Sequence, residues 1–154
     1  MPNHDEPSRV ALHEAAHAVL LHDAGIAVRR VVLDADRGRA GGRVVAGLDA
    51  LCAPASCALA GAAAEIEAGY PAPPSDRWAS DFAAAERACR RDNVELSAEL
   101  VRTRNLLWRR WPAVRAVRDA LLRRRALDRN EITRLIETAV QNHSEAPCAT
   151  ALAR

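Results

Sequence analysis

The sequence predicts a mainly α fold (α+β), with a small β-hairpin near the N-terminus and a C-terminal helical bundle. Three observations carry this. Nearly half the residues are apolar but only 3% are aromatic, so the core is built from Ala, Val, Leu and Ile, which favours closely packed helices. Apolar residues recur at helical spacing through most of the chain. Only two short β-branched runs interrupt that pattern, and a glycine-rich stretch joins them.

The elements follow in order. Ser8 is a candidate N-cap, and Val10, His13, His17, Leu20 and Ala24 then recur at helical spacing until Gly25. "VRRVVL" (28–33) reads as a strand, "DADRGRAGG" as a turn and "RVVA" (43–46) as the returning strand. Asp49 caps a helix expected from Leu51 to Gly69, with Pro54 in its first turn. "YPAPPS" (70–75) is a loop. A helix is expected from about Asp76 or Ser80 to Arg91, with Asn93 as its breaker. Leu96, Leu100, Thr103 and Leu107 mark the next helix, and Pro112 opens another carried by Val114, Val117 and Leu121. Asp128 and Glu131 form a capping box for the last, in which Ile132, Leu135, Ile136 and Ala139 are apolar. No internal repeat is visible. The reading is one domain over residues 1–141 and a disordered tail over 142–154.

Composition narrows the class of function. No stretch approaches the ~20 apolar residues of a membrane span. The N-terminal "MPNHDEPSR" is polar and acidic, unlike a signal peptide. Cys52, Cys57, Cys89 and Cys148 show no CxxC pairing and read as reduced thiols, two or three of them core filler, which points to the cytoplasm. All 22 basic residues are arginine, a pattern of coding bias more than of guanidinium chemistry. Nine of them fall between Val101 and Leu127 against one acid, Asp119. That stretch is read as a solvated helical face, with a nucleic-acid surface as the competing reading.

The chemistry lies in "RVALHEAAHAVLLHD" (9–23). Residues four apart on a helix lie one above the other, so the imidazoles of His13 and His17 can converge on one point. Zinc takes such nitrogen ligands, and Glu14 beside the first can accept a proton from water. A chance HExxH match in a chain of this length occurs at about the one-percent level. Here the histidines also share the apolar stripe, where two buried imidazoles need polar partners. A third ligand must come from elsewhere. His22 is rotated away from the stripe, and His4 and His143 sit near the ends. Glu65 could ligate the ion, or hold a ligand imidazole from outside. Asp76 and Asp81 lie near a helix start, where the dipole keeps a carboxylate ionised. Spacing does not choose among these.

Beyond that helix, the sequence resembles the peptidase domain of the FtsH family of ATP-dependent zinc proteases, from about Ser8 to Thr138. "ALHEAAHAVL" is similar to the family's HEAGH helix, and "VRRVVLDADRGRAGGRVV" to its strand–turn–strand. "LAGAAAEIEAG" resembles its "LGGRAAEE..FG", "SDFAAAERACRR" its "DL..AT..AR", and "ALLRRRALDRNEITRLIE" its C-terminal "LLE.ETLDG.EI..L". The resemblance implies a zincin-like helical domain, with His13, His17 and Asp81 as metal ligands, Zn2+ as cofactor and Glu14 as general base. Glu65 matches the first glutamate of the AAEE segment and is expected to hold a ligand in place. Departures include Ala16 for the glycine of HEAGH, "DRWASD" in place of the Thr-Gly before the aspartate, Ala62 for arginine and Ile66 for the second glutamate. These bear on pocket shape and substrate choice and remove no ligand.

The family's ATPase module and membrane anchor have no counterpart in this sequence. The expectation is a free-standing peptidase domain, or one that works with a separate ATPase chain. The implied activity is zinc endopeptidase action on unfolded or extended polypeptides. Ring-forming homo-oligomers are a family property. Two other classes compete: a non-catalytic zinc-containing binding or assembly module, and an arginine-rich nucleic-acid binder. Trp108 and Trp111 offer the latter little aromatic interleaving, since at that spacing they are expected to pack a helix pair.

Overall fold

The computed structural model describes residues 6–34, 41–71 and 78–144. In order along the chain, α1 (Glu6–Asp23) leads into the hairpin β1 (Val28–Asp34) and β2 (Gly41–Ala46). A 3₁₀ segment (Leu48–Cys52) precedes α2 (Ala55–Glu67), α3 (Ala79–Asp92) and α4 (Leu96–Arg124). A short β3 (Ala126–Asp128) and α5 (Arg129–Ser144) complete the fold. It is mainly α with a small antiparallel sheet, as the composition predicts.

α1 is the central element. It packs against α2 and α4 on one side and against the sheet on the other. Leu12, Ala15, Ala16, Ala18 and Val19 are all almost fully buried. Ala60, Ala63 and Ala64 of α2 belong to the same core. Their small side chains allow the close helix approach that aromatic-poor composition requires.

The expected boundaries shift in four places. Helix α1 starts at Glu6, which puts Ser8 inside the first turn instead of at the cap. Pro7 suits that turn, where its missing N–H goes unused. The helix expected from Leu51 is split. Ala53 is extended (φ −59°, ψ 149°) because a following proline ring disfavours the α conformation, so α2 begins only at Ala55, after Pro54. Asp49 therefore caps no α-helix and lies in the 3₁₀ segment. Gly41 and Gly42, read as turn, are the first residues of β2.

The fourth shift is the largest. Pro112 does not open a new helix; it lies inside the continuous 29-residue α4. An interior proline costs ~3 kcal/mol or more. Leu107, Val114, Val117 and Leu121 on that helix are fully buried, at roughly 1.5–3 kcal/mol each, and together outweigh it. α4 closes at Arg125, whose φ of 66° and N–H bond to Leu121 end the helix.

The third strand was not expected. β3 pairs antiparallel with β1, Val31 opposite Leu127, so the order is β2–β1–β3 and β1 is central. Among the described residues β2 pairs only with β1, Val31 opposite Val44. The capping box forms as expected: Glu131 N–H donates to Asp128 Oδ1 and Asp128 N–H to Glu131 Oε2, both 3.0 Å. Residues 142–144 of the expected tail are helical, and 145–154 lie outside the described residues. Trp111 packs on the core as a helix-packing residue should, whereas Trp108 is 72% exposed and packs no helix pair. No helix among the described residues is long and apolar enough to cross a membrane.

Candidate metal centre

His13 and His17 stand on the same face of α1, one turn apart. Their Nε2 atoms are 3.0 Å from each other and point into one cleft. Asp81, in the first turn of α3, brings Oδ2 to 3.0 Å from His13 Nε2 and 3.4 Å from His17 Nε2. Nitrogen and oxygen ligands at ~2.0–2.2 Å in a tetrahedral site stand about 3.3 Å apart, close to this triangle. Two imidazoles and a carboxylate converging from separate elements form a group that could hold a metal ion. Glu14 is buried and lines the same cleft, of about 710 Å³.

The far side of each imidazole is also held. His13 Nδ1 is 2.7 Å from Glu65 Oε1, and Glu65 is completely buried on α2. His17 Nδ1 donates to the Cys57 carbonyl at 2.7 Å. These bonds hold a proton on each Nδ1, so that the neutral rings would offer their Nε2 lone pairs to the cleft, the tautomer a metal requires. Glu65 thus holds His13 from outside and does not join the group.

Several residues of the site were not read from the sequence. Arg9, one turn before His13, is buried and ion-paired to Glu65. Its other nitrogen donates to the Pro71 carbonyl at 2.9 Å, and its guanidinium lies 5.4 Å from the Tyr70 ring centre. Trp78 Nε1 donates to Glu65 Oε1 at 3.2 Å. Arg9 therefore ties the histidine helix to Pro71, and Trp78, just before α3, is tied to the same Glu65 that pairs with Arg9 and His13. Gly61 lies against the His13 ring: a Cβ there would sit 2.4 Å from the imidazole. A Cβ on Gly42 would meet Glu14 Cγ at 2.5 Å. Gly61 carried a signal, since glycine inside a helix costs ~1 kcal/mol and usually has a packing reason. Arg9 carried a fainter one, as a charge in line with His13.

Electrostatics follow from burial and pairing. Burial opposes charge on His13, but the Asp81 and Glu65 carboxylates, with Glu14, outweigh it and raise its pKa to about 9. Burial opposes charge on Asp81 and Glu65 too. Hydrogen bonds from the histidines, and from Arg9 and Trp78 to Glu65, overcome it and hold both carboxyls below their usual range. Burial pushes the Cys57 thiol up to about 11, so Cys57 serves the site through its carbonyl alone.

No family model matches the sequence, and no curated protein is significantly similar to it. The chemistry of the site therefore rests on its geometry.

Of the remaining candidates, His22 faces a separate small cavity beside Ile26, Ile132 and Thr133. His143, near the end of α5, is exposed and outside the group. His4, Asp76 and Cys148 lie outside the described residues. Cys57 and Cys89 are buried thiols and Cys52 is an exposed one.

Proposed function

We propose that this protein is a zinc-dependent metalloendopeptidase of the FtsH-peptidase type, acting on unfolded or extended polypeptides without ATP. The observation that carries the reading is the convergence of His13 Nε2, His17 Nε2 and Asp81 Oδ2 in a cleft that Glu14 also lines. His13, His17 and Asp81 would hold the ion, and the donor set of two imidazoles and one carboxylate suits zinc at a catalytic site. A zinc ion bound there would supply Lewis acidity. Glu14 takes a proton from the attacking water and passes it to the amine of the departing chain. Glu65 and Cys57 keep the imidazoles in the ligating tautomer. The outer edge of β2, unpaired among the described residues, offers backbone hydrogen bonds to an extended chain. That mode suits poorly sequence-specific, unfolded substrates. A separate ATPase or a ring of copies would extend the range to folded ones.

The test pairs wild type with Glu14→Gln, each purified without chelator. Both should carry about one zinc per chain. Wild type should cleave an unfolded protein and spare a compact one, and a chelator should stop it. Glu14→Gln should lose at least a hundredfold in rate, the scale of general-base contributions. Equal activity in both would mean a contaminating protease. Bound zinc with no cleavage across a broad peptide library would leave a zinc-containing binding or assembly module.

A further inference from the structure

The cleft that holds the metal group extends well beyond it, between β2 and α3. α3 presents Asp81, Ala84, Arg87, Ala88 and Arg91 along one wall. β2 presents Gly42, Arg43, Val44 and Ala46 along the other. The cations differ in what they already bind. Arg91 is committed: its Nε and a terminal nitrogen donate to Asp92 at 2.7 Å each, and it also reaches the Ala53 carbonyl at 3.2 Å. Arg43 and Arg87 are exposed and make no ion pair among the described residues. The acids of the cleft are committed as well. Asp81 belongs to the metal group, and together with Glu14 it offsets the two charges of a divalent ion. Arg43 and Arg87 are left as positive charges without an acid partner among the residues that line the cleft.

Resting on the peptidase reading, we propose that Arg43 and Arg87 select polypeptides with an aspartate or glutamate two or three residues from the cleaved bond. Arg87 lies six residues along α3 from Asp81, about 9 Å at 1.5 Å per helical residue. An extended chain covers that distance in about three residues. A substrate carboxylate placed there would meet a planar guanidinium able to bind it through two parallel N–H donors. The apolar cleft residues Leu21, Ala50, Leu51 and Ala58 leave room for the uncharged side chains between.

The test uses matched peptides carrying Glu or Gln at each position up to three residues either side of a central bond. Binding to the zinc-loaded Glu14→Gln variant is measured by fluorescence anisotropy, and cleavage by wild type is measured in parallel. At low salt, Glu at one of the second or third positions should improve Kd and kcat/KM about two- to fivefold, the scale of a partly exposed ion pair. The preference should fade near 1 M salt. Arg87→Glu should reverse it in favour of Lys, and Arg43→Glu should weaken it. Zinc content of each variant reports intact folding. Equal binding of Glu and Gln peptides at every position, or a preference unchanged in Arg87→Glu, would overturn the proposal. Selective binding without cleavage by wild type would keep the proposal and overturn the peptidase reading.

Discussion

At the scale of single residues, the proposed metal site is expected to be sensitive to what stands behind His13. Gly61→Ala adds one methyl group 2.4 Å from the His13 ring. Alanine is the better helix former by about 1 kcal/mol, so α2 itself should not suffer. Zinc affinity is expected to fall at least tenfold with helix content unchanged, as read by metal competition and circular dichroism. Glu65→Gln should cost about 10–100-fold in the same assay, the usual scale for a partner behind a ligating histidine. Asp81→Ala should cost more than either, and far more than Asp76→Ala. The raised pKa of His13 gives the metal-free protein a pH signature. Below about 6.5, the ordinary histidine value, the ring is charged in folded and unfolded chains alike, and its pairing with Asp81 and Glu65 contributes fully. That contribution should drain away as pH climbs through about 9. Thermal unfolding with chelator present should show Tm falling across this interval. Zinc affinity should rise over the same interval, because binding must displace the proton. A Tm of the metal-free protein that rises from pH 6.5 to 9 would contradict the assignment.

At the scale of elements, local signals worked where the chain's own chemistry ends an element and failed where packing overrides it. Asn93, at φ 53°, and Gly25, at φ 75°, terminate helices as residues that tolerate the left-handed conformation do. The Asp128–Glu131 box starts α5, which buries Ile132 and Ile136 against the core. Asp128→Ala should therefore cost about 1 kcal/mol, a few degrees of Tm for a domain of this size. Asp128→Ser, which keeps a capping oxygen, should recover most of it. Pro112 is the counterexample: the local rule ends a helix there, and the buried face of α4 carries it through.

At the scale of the whole molecule, the arginine-rich stretch acquires partners that no local reading could assign. Arg104 pairs with Glu67 of α2, Arg110 with Asp23 of α1 at 2.6 Å, and Arg124 with Glu131 of α5. Arg118 pairs with Asp119 at 2.6 Å, and Arg102 lies 3.8 Å from Glu99. Three of the nine arginines are thus matched by acids of neighbouring helices and two by acids of α4 itself. The protein is expected to bind duplex DNA or RNA no more tightly than about 1 μM at ~0.15 M salt, the range of non-specific binding. Sub-micromolar binding in a filter or anisotropy assay at that salt would restore the nucleic-acid reading.

The sequence by itself determined the helix α1, the pairing of His13 with His17 on one face, Glu14 between them, the hairpin and the last helix with its cap. Each depends on residues within about one turn or one hairpin of each other, so periodicity and turn chemistry suffice. The resemblance to the FtsH peptidase added Asp81, which spacing alone left level with Asp76 and Glu65. Only the tertiary structure separated their places: Asp81 at the Nε2 side of the histidines, Glu65 at the Nδ1 side of His13. It alone disclosed Arg9 behind Glu65, Gly61 under the imidazole, Gly42 over Glu14, and β3 beside β1. These join residues far apart in the chain: Val31 and Leu127 are separated by 96 positions. Contacts at that range arise from how α1 is enclosed by α2, α4 and the sheet, and no periodicity along the chain encodes them.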